Sequence, residues 1–205
     1  MGTEDSGGEL LESDLYVRPG GAVVGEHVHP VIEESFTVIS GQIGFRLDGH
    51  DLIAGPGERV RLPPGRAHDW WNAGEEEAHA IVEIRPAFRF EEMIGNFWGL
   101  ARDGKTNAKG MPDLLQGVAL AREFEDVLYF TKPPRVVQRL LFGPLAAIAK
   151  ALGYKGSYPK YAGLELPSGG QGEGPPSTAA VVGRAAAMAA VLLSAAVFLR
   201  GRRGR

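Results

Sequence analysis

A chain of 205 residues with 44% hydrophobic content can bury one good core and a small appendage. Its 22 lysines and arginines against 25 aspartates and glutamates give a formal charge of -3, yet the five arginines after Glu173 meet no acidic residue, so residues 1–173 carry about -8. So acidic a body lacks the clustered positive charge that nucleic acid requires, and a chain without cysteine has no disulfide, thiolate metal site or cysteine nucleophile.

Residues 1–14 are polar, acidic and glycine-rich, and without a positive start and apolar stretch they read as a flexible arm rather than a secretory signal. From residue 15 to about residue 87, short apolar runs are punctuated by Gly, Pro and Asp-Gly, the pattern of a small antiparallel β-barrel. Residues 36–39 and 43–47 are expected to pair as a hairpin across Ser40-Gly41, and Asp48-Gly49 supplies the next tight turn. Ile43, Phe45 and Leu47 alternate with Gln42, Gly44 and Arg46, so one face is core and the other wet.

Beyond Pro86 the period becomes helical. Residues 88–164 form a helical extension: residues 91–102 put Met93, Ile94, Phe97, Trp98 and Ala101 on one face and stop at Asp103-Gly104, and residues 113–130 repeat the pattern. A third helix opens at Pro134, meets a kink or break at Pro144 and ends near Gly153. Such amphipathic helices are expected to cover the outside of the barrel or a homodimer seam, with a lid over the barrel mouth as the alternative. Residues 165–177 are a Gly/Pro/Ser linker.

Residues 178–199 are apolar and would span about 33 Å as a helix, enough for a bilayer core. Eight Val, Leu and Phe residues offset Arg184, so the stretch is expected as a C-terminal apolar helix that spans a membrane, an Ala-rich soluble helix or a disordered tail being the alternative. Residues 200–205 form a basic tail. The expectation is a membrane-anchored protein with a cytosolic barrel.

Two stretches carry the chemistry. Residues 21–41 run Gly21, five residues, His27, one residue, His29, four residues, Glu34, six residues, Gly41; residues 57–72 run Gly57, five residues, Pro63, one residue, Gly65, two residues, His68, three residues, Asn72. Alternation along a strand points His27 and His29 the same way, so one strand supplies two imidazoles. Glu34 follows a bend at Pro30, and the turn at residues 63–65 launches the strand of His68. Glu33 should face outward, and His50 and His79 read as solvated surface. Phe36, Val38, Trp70 and Asn72 share inward parity with these ligands and are candidates for a pocket wall, although small barrels are also simply filled by such side chains. Tyr16, Glu83 and Arg85 are further pocket candidates, while Trp71 should face outward under a helix or a second subunit.

In order and spacing the two stretches resemble the paired motifs of the cupin superfamily, with no fixed position broken. The resemblance covers roughly residues 15–87. It implies a mainly β fold with a jelly-roll-like barrel, which the amphipathic helices read from the periodicity follow, and one divalent ion (iron, manganese, zinc or nickel) held by His27, His29, Glu34 and His68. The expected function is that of a metal-dependent enzyme of dioxygenase, isomerase or decarboxylase type acting on a small oxygen-rich metabolite. The alternative is a non-catalytic ligand-binding or sensing barrel tethered to a membrane.

Overall fold

The computed structural model describes residues 1–162 apart from 24, 108 and 109. The strands are β1 (Leu11–Val17), β2 (His27–Val28), β3 (Glu33–Ser40), β4 (Ile43–Leu47), β5 (His50–Ala54), β6 (Arg59–Leu62), β7 (His68–Asn72), β8 (Ala78–Arg85) and, after two helices, β9 (Tyr129–Phe130). Period-two burial explains them: in β8, Ala78, Ala80, Val82 and Ile84 are buried while Arg85 is exposed and His79, Ile81 and Glu83 are half-buried. They form two antiparallel sheets, ordered β1-β8-β3-β6 and β5-β4-β7-β2-β9. Phe36, Val38 and Leu62 from the first sheet join Ile43, Phe45 and Ala54 from the second in one continuous core.

This arrangement overturns the hairpin expected at Ser40-Gly41. β3 pairs with β8 and β6, and β4 with β5 and β7, so residues 41–42 carry the chain from one sheet to the other. Gly41 makes the crossing possible: its φ is +73°, and a Cβ there would stand 2.7 Å from the Ala78 Cα. The turn at Asp48-Gly49 does join a hairpin, with both residues at positive φ (48° and 82°), as a two-residue type I′ connection requires.

The N-terminal stretch is also more ordered than its composition suggests. β1 begins at Leu11, inside the stretch expected to be a flexible arm, because Leu11 pairs with Ile84 and joins the core. Residues 2–10 are tied by Gly8 N–H to Thr3 O at 2.8 Å and Thr3 N–H to the Glu91 carboxylate at 2.9 Å.

The extension contains α1 (Phe90–Arg102), α2 (Leu114–Glu123) and α3 (Arg135–Ala151), followed by a short 3-10 turn at Pro159–Tyr161. Asp113 caps α2 by accepting from Gln116 N–H at 3.0 Å. That helix stops at Glu123, so the pattern read as helical to residue 130 is corrected: Tyr129 and Phe130 leave the helix to form β9 against β2. α3 continues through Pro144 and caps at Leu152, with Gly153 at φ +90°. Met93, Leu100, Leu120, Phe124, Val127 and Tyr161 belong to the same core cluster as the barrel residues, so α1 and α2 extend the barrel core. Tyr161 lies on Gly99 of α1, where any added Cβ would overlap its ring.

Among the described residues no helix is long and apolar enough to cross a membrane. The apolar stretch 178–199 lies outside the described residues, as do the linker at 165–177 and the basic tail at 200–205. The expectation of a membrane-anchored protein is corrected accordingly: no helix among the described residues supplies an anchor.

Candidate metal centre

The site lies where the two sheets face each other. β2 carries His27, with His29 directly after it; the neighbouring β7 carries His68, and His27 and His68 are paired residues across the ladder. Glu34 comes from β3 of the opposite sheet rather than from a neighbouring strand. The turn at residues 63–65 has a second task beyond launching β7: Gly65, at φ +75°, donates its N–H to the His29 carbonyl at 2.8 Å and so ties the two histidine stretches together.

All four side chains are buried, and one ligand atom from each lies within 4.8 Å of every other. Each imidazole is oriented in the same way. Nδ1 of His27 faces the Gly25 carbonyl at 2.9 Å, that of His29 the Val127 carbonyl at 2.7 Å, and that of His68 the Arg66 carbonyl at 3.0 Å. A carbonyl only accepts, so each Nδ1 carries the proton and each Nε2 keeps its lone pair. The Nε2 atoms of His29 and His68 and Oε2 of Glu34 are buried without a hydrogen-bond partner in the structure. They stand close to the carboxylate, His29 Nε2 at 3.6 Å from Oε1 and His68 Nε2 at 3.3 Å from Oε2. Buried polar atoms are rarely left unpaired, and three converging on a fourth donor suit a cation. This buried His/His/Glu/His group could hold a divalent metal ion, as the donor set of imidazole and carboxylate suggests.

The electrostatics favour neutral imidazoles at His27 and His29. Burial, reinforced by the neighbouring His68 and His29, pushes His27 down to about 3, and burial also lowers His29. Burial alone would raise Glu34, but the surrounding imidazoles more than offset it and hold the carboxyl down at about 2. For His68, burial is outweighed by the Glu34 carboxylate, whose Oε2 stands 3.3 Å from Nε2, and its affinity for a proton rises.

The other expected site residues separate into three groups. Phe36 and Val38 are core, with the Phe36 ring 5.1 Å from Phe45 and 5.9 Å from Trp70. Trp70 is half-buried against the core. Asn72 is a structural bracket: its Nδ2 donates to the Val17 and Glu76 carbonyls at 2.6 and 2.7 Å, and its Oδ1 accepts from Gly74 N–H at 2.7 Å.

Tyr16, Glu83 and Arg85 lie on the outer face of their sheet, which removes them from any pocket. Tyr16 stacks on His79 at 4.3 Å, His79 in turn bonds Asp14 at 2.6 Å, and Glu83 pairs with Arg59 and Arg85. Glu33 also faces outward, paired with Arg61 at 2.8 Å. Trp71 lies flat over Gly44, where a Cβ would overlap the indole, and the Arg46 guanidinium stands 5.7 Å from its ring.

Two neighbours of the site escaped the sequence reading. The Phe90 ring stands 5.5 Å from the His29 ring, and β9 lies against β2, placing Phe130 opposite His27. Both come from the helical extension. The Phe-rich periodicity there signalled helix faces; nothing local marked it as a wall of the metal centre.

Known proteins resemble part of the chain. A family model described as the cupin domain matches residues 14–84. A protein named polyketide synthase CurC from Streptomyces cyaneus is 31% identical over 70 residues, 34% of this chain and 45% of that protein, so the chain spans less than half of the curated relative it matches. A Klebsiella pneumoniae protein with a double-stranded β-helix domain shares 25% identity over 39% of this chain and 70% of its own, with a TM-score of 0.36. A Thermotoga maritima protein titled a predicted oxalate decarboxylase shares 22% identity over 42% of this chain and 74% of its own, with a TM-score of 0.40. The nucleoside dehydratase Pac13 of Streptomyces shares 18% identity over 40% of this chain and 62% of its own, with a TM-score of 0.35. Paired motifs, two-sheet barrel and family match all fall on one stretch, and over residues 14–84 the chain matches the cupin domain.

Proposed function

We propose that His27, His29, Glu34 and His68 hold one divalent ion and that the barrel is a metal-dependent enzyme of dioxygenase, isomerase or decarboxylase type. The observation that carries this reading is the common orientation of the three imidazoles, each with Nδ1 on a main-chain carbonyl and a ligand atom within 4.8 Å of a Glu34 carboxylate oxygen. A fold stabilised by hydrogen bonds alone has no need to bury such lone pairs side by side.

Charge narrows the substrate. Three neutral imidazoles and one carboxylate leave a divalent ion with a net charge of about +1, and a buried charge is costly unless neutralised. Among the described residues no lysine or arginine is buried, so no second cation waits for a dianion. A small oxygen-rich compound bound as a monoanion, such as an enolised carbonyl, would neutralise the centre. The relative named as a polyketide synthase supports the same class, since a polyketide carries carbonyls that enolise.

When bound, the ion would supply Lewis-acid polarisation of the substrate oxygens. The chain does the rest. The carbonyls of Gly25, Val127 and Arg66 fix the imidazole tautomers, and burial keeps His27 and His29 unprotonated at neutral pH. The Phe90 ring, 5.5 Å from that of His29, and Phe130, paired with His27 across the ladder, set apolar residues beside the centre.

The test is elemental analysis of the full chain purified without added metal, followed by oxygen-uptake and product assays on 1,3-diketones, enediols and diols. About one ion per chain and turnover of an enolisable compound are expected. A chain that retains no ion and binds none at micromolar concentration overturns the metal centre. Stoichiometric metal with no turnover in any class overturns the enzymatic reading alone.

A further inference from the structure

The outer face of α3 is apolar along its whole length, the reverse of an ordinary surface helix. Only Gln138, Phe142 and Ala149 of its residues are buried. Val136, Leu140 and Leu152 stand 67%, 69% and 65% exposed, and Ile148 51%. With Val137 and Leu141 the exposed side chains amount to an apolar surface on the order of 500 Å², at the upper end of the largest patch on a typical monomer. The helix carries no acidic residue, and its charges, Arg135, Arg139 and Lys150, fall together on one flank at 100° per residue.

We propose that this face packs against the same face of a second copy of the chain, the two α3 helices running antiparallel about a two-fold axis near Pro144. The stripe is its own complement. Reversing the chain direction through Pro144 exchanges Val136 with Leu152 and Leu140 with Ile148, an unbroken i, i+4 ridge of large side chains on each copy. The same reversal exchanges Val137 with Ala151 and Leu141 with Ala147, so bulk on one helix meets a gap on the other. Two such faces together bury about 1,000 Å², where specific interfaces begin.

Other occupants fit less well. The apolar stretch at 178–199 ends in arginines, which would bring positive charge to a helix whose only charges are positive. An anionic lipid surface would meet a body, residues 1–173, that carries about -8. The seam also bears on the metal centre, because Gln138 of α3 donates to the Phe130 and Pro133 carbonyls at 2.6 Å and thereby holds β9 against the strand of His27.

Sedimentation equilibrium of the full chain with and without Leu140→Glu tests the proposal, and Ile53→Glu on β5, 61% exposed, serves as the control. The full chain is expected to dimerise, and the control to dimerise equally. Leu140→Glu should weaken association about 100-fold or more while leaving the circular dichroism unchanged. A two-fold axis leaves both basic flanks on one side of the seam, so added salt should tighten the dimer. A monomer at tens of micromolar overturns the proposal, as does any assembly that Leu140→Glu leaves unchanged. Loss, in that variant, of co-sedimentation with phosphatidylserine vesicles in place of self-association also overturns it and assigns the face to lipid.

Discussion

The Nδ1–H of His29 donates to the main-chain carbonyl of Val127 at 2.7 Å, across 98 residues of sequence. A candidate metal ligand of the barrel is thus aimed by a residue of the helical extension, and Val127 is itself fully buried just beyond α2. Partners of this kind fix the tautomer and the ring orientation, and losing one typically costs 10–100-fold in metal affinity.

Phe124→Ala should expose this dependence. Phe124 is buried, and its carbonyl accepts from Val127 N–H at 2.9 Å. The truncation is expected to cost about 3 kcal/mol of stability and to weaken metal binding about tenfold, although Phe124 is no ligand. Chemical denaturation and chelator competition measure the two effects; unchanged metal affinity would show that His29 needs no help from Val127.

Glu34→Gln and His68→Ala address the donor set. Glu34→Gln keeps the shape but removes the negative charge, and His68→Ala removes a buried imidazole whose Nε2 lies 3.3 Å from that carboxylate. Each is expected to lower metal affinity about 100-fold or more, read by competition against a chromogenic chelator. A His68→Ala variant that keeps full metal occupancy counts against its place among the ligands.

Acid should destabilise the metal-free protein. His27 is held down at about 3 and His29 is also lowered, so the unfolded chain binds more protons than the folded one once pH falls below the ordinary histidine value near 6.5. Each such histidine contributes a loss of up to about 1.4 kcal/mol per pH unit, continuing for His27 toward pH 3. His68 works in the opposite sense: its raised value adds stability at low pH that fades as pH rises through it. Two lowered groups outweigh one raised group, and Glu34, held down at about 2, adds a further loss as pH falls below the usual carboxylate range. Urea midpoints measured from pH 7 to pH 4 should therefore decline; a flat profile would contradict neutral buried imidazoles.

Asn72→Ala separates a structural role from a role in a pocket. Three hydrogen bonds to the main chain are lost, leaving the Val17 and Glu76 carbonyls and the Gly74 N–H without that partner. The expected cost is about 2–4 kcal/mol in stability with metal affinity unchanged. A drop in metal affinity at unchanged stability would place Asn72 in the site instead.

What the sequence determined by itself is whatever depends on neighbours a few residues away. Strand alternation brings His27 and His29 to one side, the turn at residues 63–65 starts the strand of His68, and Asp48-Gly49 closes a hairpin, all from local stereochemistry. Tertiary structure decided the rest. Residues 36–39 and 43–47 alternate alike, so only pairing across the molecule could assign them to different sheets, with the crossing permitted by the fit of Gly41 against Ala78. Residues 113–130 keep an apolar rhythm that is helical as far as Glu123, but the unpaired edge of β2 recruits Tyr129 and Phe130 as a strand. Partners such as Val127 for His29 and Tyr161 for Gly99 arise where distant segments meet, and main-chain carbonyls carry no mark in a sequence of side chains.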